Sequence, residues 1–365
     1  MMKKIFSKLK AKHLKKKFFN FFIATGLILL ATFLYLLINP PKLVKPKNNI
    51  EKPCENKKTS FKEEFDCYEN YFEDIIAKKD PTHSLQTLEQ LSAETPFVKS
   101  YCHPLVHSIG RFSAKRFQDI SQTFSFGKET CWSGYYHGAM EGYIPIIGIE
   151  NINSSINEIC ASQKSAEKYS FDHYNCVHGL GHGLTANLDY EIFEALDHCD
   201  KLIDTWERDS CSGGVFMENI VNDGVNHNSK YLKNDDLEYP CNAALERFKN
   251  PCYLMQSSHF LKVLSYDYKK GFEQCERFNR NYQSSCFQSI GRDISGNYLR
   301  SIEKTLELCG LAKEEHQLLC FTGAAKDFTF NDRNSLKSRQ LCESLPEEMY
   351  KESCLNVISQ VESTF

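Results

Sequence analysis

Cysteines paired at a regular spacing constrain the fold of this chain more than any other feature. From residue 199 to the C-terminus they form five pairs whose members are 11 or 12 residues apart, and the second members follow one another at steps of 41, 34, 34 and 34 residues. A fixed period of this size is typical of stacked supersecondary units. The pairs are Cys199 with Cys211, Cys241 with Cys252, Cys275 with Cys286, Cys309 with Cys320, and Cys342 with Cys354.

Each repeat is predicted to be a helix hairpin. In the unit around Cys309, leucines recur at helical spacing up to that cysteine, and a second helical run starts at Glu314. Pro346 lies between Cys342 and Cys354, where a connecting turn tolerates proline and a helix interior does not. We therefore expect an all-α fold, an α-solenoid of disulfide-stapled helix hairpins with repeats of about 34–45 residues.

The 34-residue step from Cys199 onward is similar to that of tetratricopeptide and Sel1-like helical repeats. The Trp/Leu-Gly/Tyr consensus of the tetratricopeptide family is missing from these repeats. The likeness therefore concerns architecture alone, and it implies no binding residue.

Six further cysteines precede the five pairs. Cys160 with Cys176 reads as a stretched member of the series, and the other four cysteines allow three connectivities that spacing does not rank. The pairing we expect among these four is Cys54 with Cys67 and Cys102 with Cys131. All sixteen cysteines lie after residue 38, and an even number of them predicts disulfides in an oxidising compartment.

The N-terminus predicts a membrane anchor. Residues 1–17 carry eight lysines and no acid, and residues 18–38 follow as 21 residues without a charge, enough to span a bilayer. A cleavable signal peptide is the alternative, but its apolar core normally has about 7–15 residues and ends at a small-x-small site. The positive-inside rule places the lysines in the cytoplasm. We expect a single-pass protein with a cytoplasmic tail (1–17), a transmembrane signal anchor (18–38) and a periplasmic or extracellular C-terminal domain.

The N-terminal region is basic, whereas the rest of the chain is acidic. Residues 39–60 are rich in Pro, Lys and Asn without apolar periodicity, which predicts a flexible linker. Residues 1–59 hold fourteen lysines against two acids, a net +12, so the whole-chain charge of −3 leaves −15 for residues 60–365. An acidic domain argues against nucleic acid as a partner. We predict a helical-repeat domain over 61–365, with a histidine-rich part at 100–225 and structural repeats at 226–365.

Three runs that open on a cysteine carry five of the twelve histidines. They read CHPLVHSIGR from Cys102, CWSGYYHGAME from Cys131 and CVHGLGHG from Cys176, while CSGGVFMEN from Cys211 has glutamate in place of histidine. Side chains at i and i+4 lie on one face of a helix, a spacing that can clamp one metal ion. The candidate metal ligands are His103, His107, His137, Glu141, His178, His182 and Glu218.

Glycines recur beside these candidates, although each costs up to about 1 kcal/mol of helix propensity relative to alanine. Close helix packing would offset that cost and let imidazoles from three consecutive repeats converge in one pocket. Such a donor set suits zinc, iron or copper, with haem a weaker fit, and oxidised cysteines would not ligate. Two metals, or one metal with Glu141 or Glu218 as a general base, would each support hydrolytic or redox chemistry, and the sequence leaves both open.

A second interpretation needs no metal, because a buried histidine can simply hydrogen-bond a carbonyl or a carboxylate. The chain would then be a disulfide-stabilised scaffold that binds a partner protein or peptide near the membrane, with the histidines as polar packing or a pH-sensitive latch. Downstream, Asp293 and Asp327 occupy the equivalent positions without a histidine one turn away, so that half is predicted to be structural. The chain contains no HExxH or GxSxG motif.

Overall fold

Helices account for all of the regular secondary structure in the residues that the computed structural model describes, which are 53–54, 60–164, 170–221, 229–331 and 335–363. No strand occurs within these ranges, so the prediction of an all-α fold is confirmed. In chain order the helices are α1 (Phe61–Lys78), α2 (Pro81–Glu94), α3 (Pro96–Ser100), α4 (Cys102–Phe117), α5 (Ile120–Phe124), α6 (Thr130–Ile147), α7 (Ile152–Ser155), α8 (Phe171–Asn187), α9 (Ile192–Cys199), α10 (Thr205–Ile220), α11 (Glu246–Met255), α12 (Ser257–Val263), α13 (Tyr268–Arg277), α14 (Arg280–Asn297), α15 (Ile302–Cys309), α16 (Glu314–Phe330), α17 (Leu336–Glu343) and α18 (Glu348–Ser363).

Local sequence signals explain where many of these helices begin. Ser60 and Glu63 form a capping box at the start of α1. Asp80 caps α2 directly before a proline at the first helical position. The Ser301 side chain accepts a hydrogen bond from the backbone of Lys304 at the start of α15. Each cap supplies an acceptor for a backbone N–H that has no partner inside its helix.

Four of the five C-terminal repeats are helix hairpins with a short first helix and a long second helix. In the repeat of Cys241 and Cys252 the disulfide is present, but Cys241 lies in a run of turns before α11, so the first helix predicted there is absent from this described stretch. The pairs α9–α10, α13–α14, α15–α16 and α17–α18 combine a helix of 8–10 residues with one of 16–18 residues. One disulfide joins the two helices of each pair, and Pro346 lies in the turn between α17 and α18, as predicted. The pairings expected upstream, Cys54–Cys67, Cys102–Cys131 and Cys160–Cys176, are also present.

A recurrent turn links successive repeats. After α8, α12 and α14 the chain places two consecutive residues in the left-handed region, for example Leu299 at φ 52° and Arg300 at φ 58°. The backbone N–H of Arg300 then donates to the carbonyl of Ser295 at 2.7 Å, five residues earlier. This bond satisfies a carbonyl at the helix end in the manner of a Schellman cap. The turn gives each repeat the same exit direction.

The long helices stack in chain order, each against the next, from α4 through α6, α8, α10, α11, α14 and α16 to α18. This row of helices is curved, so that helices far apart in the chain come into contact. Tyr174 on α8 stacks on Phe330 of α16 with ring centroids 4.6 Å apart. The Trp132 indole on α6 lies 3.3 Å from where a Cβ on Gly296 of α14 would be. The concave side of the row therefore closes around an interior space.

Part of the predicted domain organisation lies outside the described residues. These parts are the tail at 1–17, the anchor at 18–38 and most of the linker at 39–60. Among the helices that are described, none is both long and apolar enough to cross a bilayer. Residues 52–365 form one compact unit, and its eight intramolecular disulfides indicate an oxidising compartment.

Candidate metal centre

Five of the predicted site residues converge on the concave side of α4, α6 and α8. His137 on α6 lies at the centre, and its ring centroid is 4.2–5.5 Å from those of the other four histidines. Its ring stacks on that of His182 at an angle of 11°. Three repeats thus each contribute imidazoles to one cluster, as the spacing predicted. The cluster consists of His103, His107, His137, His178 and His182.

The hydrogen bonds of His103 and His107 fix which ring nitrogen carries a proton. Nδ1 of His103 lies 2.7 Å from the carbonyl oxygen of Cys131, and Nδ1 of His107 lies 2.6 Å from Oε1 of Glu141. A carbonyl and a carboxylate only accept, so both Nδ1 atoms must donate. Both Nε2 atoms then carry a lone pair, and they face each other at 3.0 Å. Two facing lone pairs repel each other, and a cation bound to both nitrogens would remove that repulsion.

The same arrangement recurs two repeats later. Nδ1 of His178 donates to the carbonyl oxygen of Ser210 at 3.2 Å, and Nδ1 of His182 donates to Oε2 of Glu218 at 2.6 Å. In each repeat one histidine is oriented by a backbone carbonyl and the other by a buried carboxylate. Histidines that ligate metals are commonly held in this way, with Nδ1–H bound and Nε2 directed at the ion. Nε2 of His178 lies 3.4 Å from the Met217 sulfur.

Two ring nitrogens of the cluster have no hydrogen-bond partner in the described part of the chain. They are Nδ1 of His137 and Nε2 of His182, and both atoms are buried. An unpaired buried polar atom costs on the order of 1–3 kcal/mol, which a bound ion would remove. Ligand atoms of two histidine triplets also lie within 4.8 Å of one another. The triplets are His103, His107 and His137, and His137, His178 and His182.

Glu141 and Glu218 accept hydrogen bonds from Nδ1 of His107 and His182 and so orient the two rings. Oε2 of Glu141 accepts a 2.7 Å hydrogen bond from Arg111, and Oε1 of Glu218 accepts one from the Tyr190 hydroxyl at 3.2 Å. Each carboxylate therefore already uses both of its oxygens. Glu141 also forms a third possible ligand group with His107 and His182. Burial acts to raise the pKa of Glu141, but the nearby His107 and Arg111 outweigh burial and keep that pKa below its usual range.

Burial lowers the pKa values of four histidines of the cluster. Removal from water lowers the pKa of His103 to about 3, and neighbouring His107 lowers it further in the same direction. Burial likewise lowers the pKa of His107 and holds the pKa values of His137 and His178 well below the usual range. Both shifts disfavour a second proton on His103 and His107 at neutral pH. Neutral imidazoles are the form that binds metals.

Backbone geometry brings the helices close enough for the rings to meet. A Cβ on Gly214 of α10 would lie 2.0 Å from the carbonyl oxygen of His178, so only glycine allows this contact. At the start of α6, Cys131, Trp132 and Ser133 have φ values of 50°, 58° and 58°. This left-handed stretch directs the Cys131 carbonyl at His103. The predicted glycine-faced packing is confirmed, whereas the left-handed stretch was not foreseen.

A cavity of about 370 Å³ adjoins the cluster. Its lining includes His103, His137 and His178 together with side chains of α14 and α16. The repeats predicted to be structural thus contribute Arg292, Asp293, Lys326 and Asp327 to the lining. The sequence register places the two aspartates at the position of Glu218, seven residues after a cysteine, but the lack of a histidine one turn away led to the prediction that they are structural.

Two other histidines have local partners instead. Nε2 of His259, which is also seven residues after a cysteine, hydrogen-bonds the carbonyl of Lys233 at 2.9 Å. Nε2 of His173 lies 3.0 Å from Oε1 of Glu207. Neither belongs to a group of possible metal ligands among the described residues.

Comparisons with protein-family models, with curated proteins and with solved structures find no match for this chain.

Proposed function

We propose that this chain is an extracytoplasmic metalloprotein that binds a transition metal ion, zinc, iron or copper, through its histidine cluster. The predicted anchor at 18–38 would hold it at the outer side of a membrane. The observation that carries the proposal is the pair of Nε2 lone pairs of His103 and His107, 3.0 Å apart. Two nitrogens that ligate one zinc ion at about 2.0–2.1 Å with tetrahedral angles lie roughly 3.4 Å apart.

In this proposal the imidazoles are the ligands, and the two glutamates are positioning residues. Glu141 and Glu218 fix the proton on Nδ1 of His107 and His182 and raise the basicity of the opposite nitrogen. The two histidine triplets share His137. Either triplet could hold an ion.

The chemistry follows from the donor set and the cavity. Imidazole nitrogens suit zinc, copper and iron, and the eight disulfides leave no thiolate among the described cysteines to compete. Three protein ligands with a position open towards a cavity are typical of catalytic rather than structural metal sites. We therefore propose hydrolytic or redox chemistry at the cavity side of the cluster.

Elemental analysis of the full-length chain tests this proposal. The protein is produced in an oxidising compartment and purified without a histidine tag, together with His137→Ala and His182→Ala. We expect one or two equivalents of metal in the wild type and a marked loss in both variants, while His83→Ala, at an exposed position on α2, keeps the wild-type content. Absence of metal after reconstitution with zinc, iron and copper salts would reject the proposal and favour the scaffold interpretation.

A further inference from the structure

The lining of the cavity includes a lysine that the described part of the protein does not neutralise through an ion pair. Lys326 on α16 lines the cavity, and its ammonium donates to the amide oxygen of Gln288 at 2.8 Å. Within the described residues it forms no ion pair. Burial lowers the pKa of Lys326. Asp327 also lines the cavity, but its oxygens accept hydrogen bonds from Ser295 and Asn331 rather than from this ammonium. Holding such a charge away from water is unfavourable unless an anion joins it.

The neighbouring cation differs in this respect. Arg292 donates to Oδ1 of Asp293 at 2.9 Å and to the Ser258 hydroxyl at 2.7 Å. Its charge is thus neutralised by the protein itself. Lys326 is therefore the cation in the lining that is available to pair with a bound anion.

Apolar side chains line much of the remaining cavity. Trp132, Tyr174 and Phe330 contribute aromatic rings, and Met217 and Met255 contribute thioethers. Trp132 retains 37% of its exposure although its indole contacts α14, so one part of the ring remains accessible. A volume of about 370 Å³ lies within the range of pockets for small molecules, roughly 300–1,000 Å³.

We propose that this cavity binds a small organic anion, a carboxylate or phosphate with an aromatic or apolar body, whose charged group pairs with Lys326 while its other end faces the histidine cluster. This inference rests on the proposed function, because it places the substrate beside the metal ion. The aromatic and thioether side chains bind the body of the ligand. The ammonium selects against neutral molecules of the same shape.

Trp132 supplies the reporter for a test. The chain has two tryptophans, so Trp206→Phe leaves Trp132 as the single fluorophore, at the wall of the cavity. Phenylacetate, phenyl phosphate and the neutral phenylacetamide are titrated into this full-length protein after metal loading. We expect saturable binding of at least one of the two anions. The affinity for the neutral amide should be lower than that for this anion by about tenfold or more. The preferred anion distinguishes a carboxylate from a phosphate ligand.

Variants at Lys326 complete the test. Lys326→Met is expected to weaken anion binding about tenfold or more, whereas Lys326→Arg retains most of it. Thermal unfolding by circular dichroism checks that both variants fold, and metal content is measured on the same samples. A metal-loaded protein without saturable anion binding, or with equal affinity in wild type and Lys326→Met, would overturn this inference alone. A wild-type protein without metal would overturn the proposed function.

Discussion

A Cβ atom on Gly138 would lie 1.9 Å from the carbonyl oxygen of His107, so α4 and α6 touch backbone to backbone at this point. The residue before this glycine is His137, whose ring centroid lies 5.3 Å from that of His107. The contact therefore determines how closely the imidazoles of two repeats approach. Glycine at this position is part of the candidate metal centre, although it offers no ligand.

Replacing Gly138 by alanine should separate the two helices. We expect Gly138→Ala to lower the free energy of unfolding by about 1–3 kcal/mol and to reduce metal binding. Gly213→Ala is the matched control, because its Cβ would meet the nearest atoms at 3.7 Å, an ordinary contact. That variant should be neutral or up to about 1 kcal/mol more stable, as alanine favours helix. Denaturant titration of both metal-free variants measures the difference, and equal stabilities would contradict this account of the packing.

Glu141→Gln tests the role of the buried carboxylates. The amide keeps the size of the side chain but weakens the acceptor that orients His107. We expect metal affinity to fall about 10- to 100-fold while the number of bound ions at saturation stays the same. Competition with a chelator measures the affinity, and Glu315→Gln, at an exposed position on α16, serves as control. Loss of an entire equivalent of metal would show instead that Glu141 is itself a ligand.

Removal of one disulfide should lower stability alone, whereas removal of another should lower both stability and metal affinity. Cys309 and Cys320 close a loop of sequence separation 11, and their joint replacement by alanine should lower the free energy of unfolding by roughly 3 kcal/mol with little change in metal affinity. Joint replacement of Cys102 and Cys131 should reduce both, because the Cys131 carbonyl orients His103. Denaturation and chelator competition on the two double variants compare these effects. Identical metal affinities would argue against the proposed role of the Cys131 carbonyl.

The raised pKa of Asp327 predicts that the stability of the fold depends on pH. Burial raises its pKa above the usual value of 3.8, although the Ser295 hydroxyl acts in the opposite direction. An acid with a raised pKa binds its proton more tightly in the folded state, so its contribution to stability is present at low pH and is lost as the pH rises through the folded pKa. Between about pH 4 and pH 7, metal-free wild type should lose more stability than Asp327→Asn. Superimposable pH profiles from denaturant titration would refute this.

Much of the fold follows from local signals in the sequence. The spacing of Cys309 and Cys320 fixes two helices and the turn between them, and Pro346 marks such a turn in the last repeat. The curvature of the whole row does not follow, because it accumulates from small rotations at each repeat contact. The stacking of Tyr174 on Phe330, more than 150 residues away in the chain, is a result of that accumulation.

Some features of the candidate site also follow from the sequence, and others do not. Helical spacing and the position of each histidine after its cysteine place five imidazoles together, and the structure brings these five into one cluster. Spacing does not distinguish a ligand from a residue that holds a ligand, since Glu141 lies one helical turn after His137 and Glu218 lies within one residue of the histidine position after its cysteine. Only the hydrogen bonds on Nδ1 of His107 and His182 separate the two roles. Lys326 joins the site through the curvature, so no local pattern predicts it.

X-ray absorption at the metal edge of the loaded wild-type protein tests the central claim most directly. The account predicts a first shell with at least three imidazole nitrogens, the size of each histidine triplet, at about 2.0–2.1 Å if the ion is zinc. His137→Ala should lose imidazole scattering from that shell, because both triplets include this residue. A shell dominated by oxygen or sulfur, or a spectrum that His137→Ala leaves unchanged, would contradict the assignment of the histidine cluster as the metal centre.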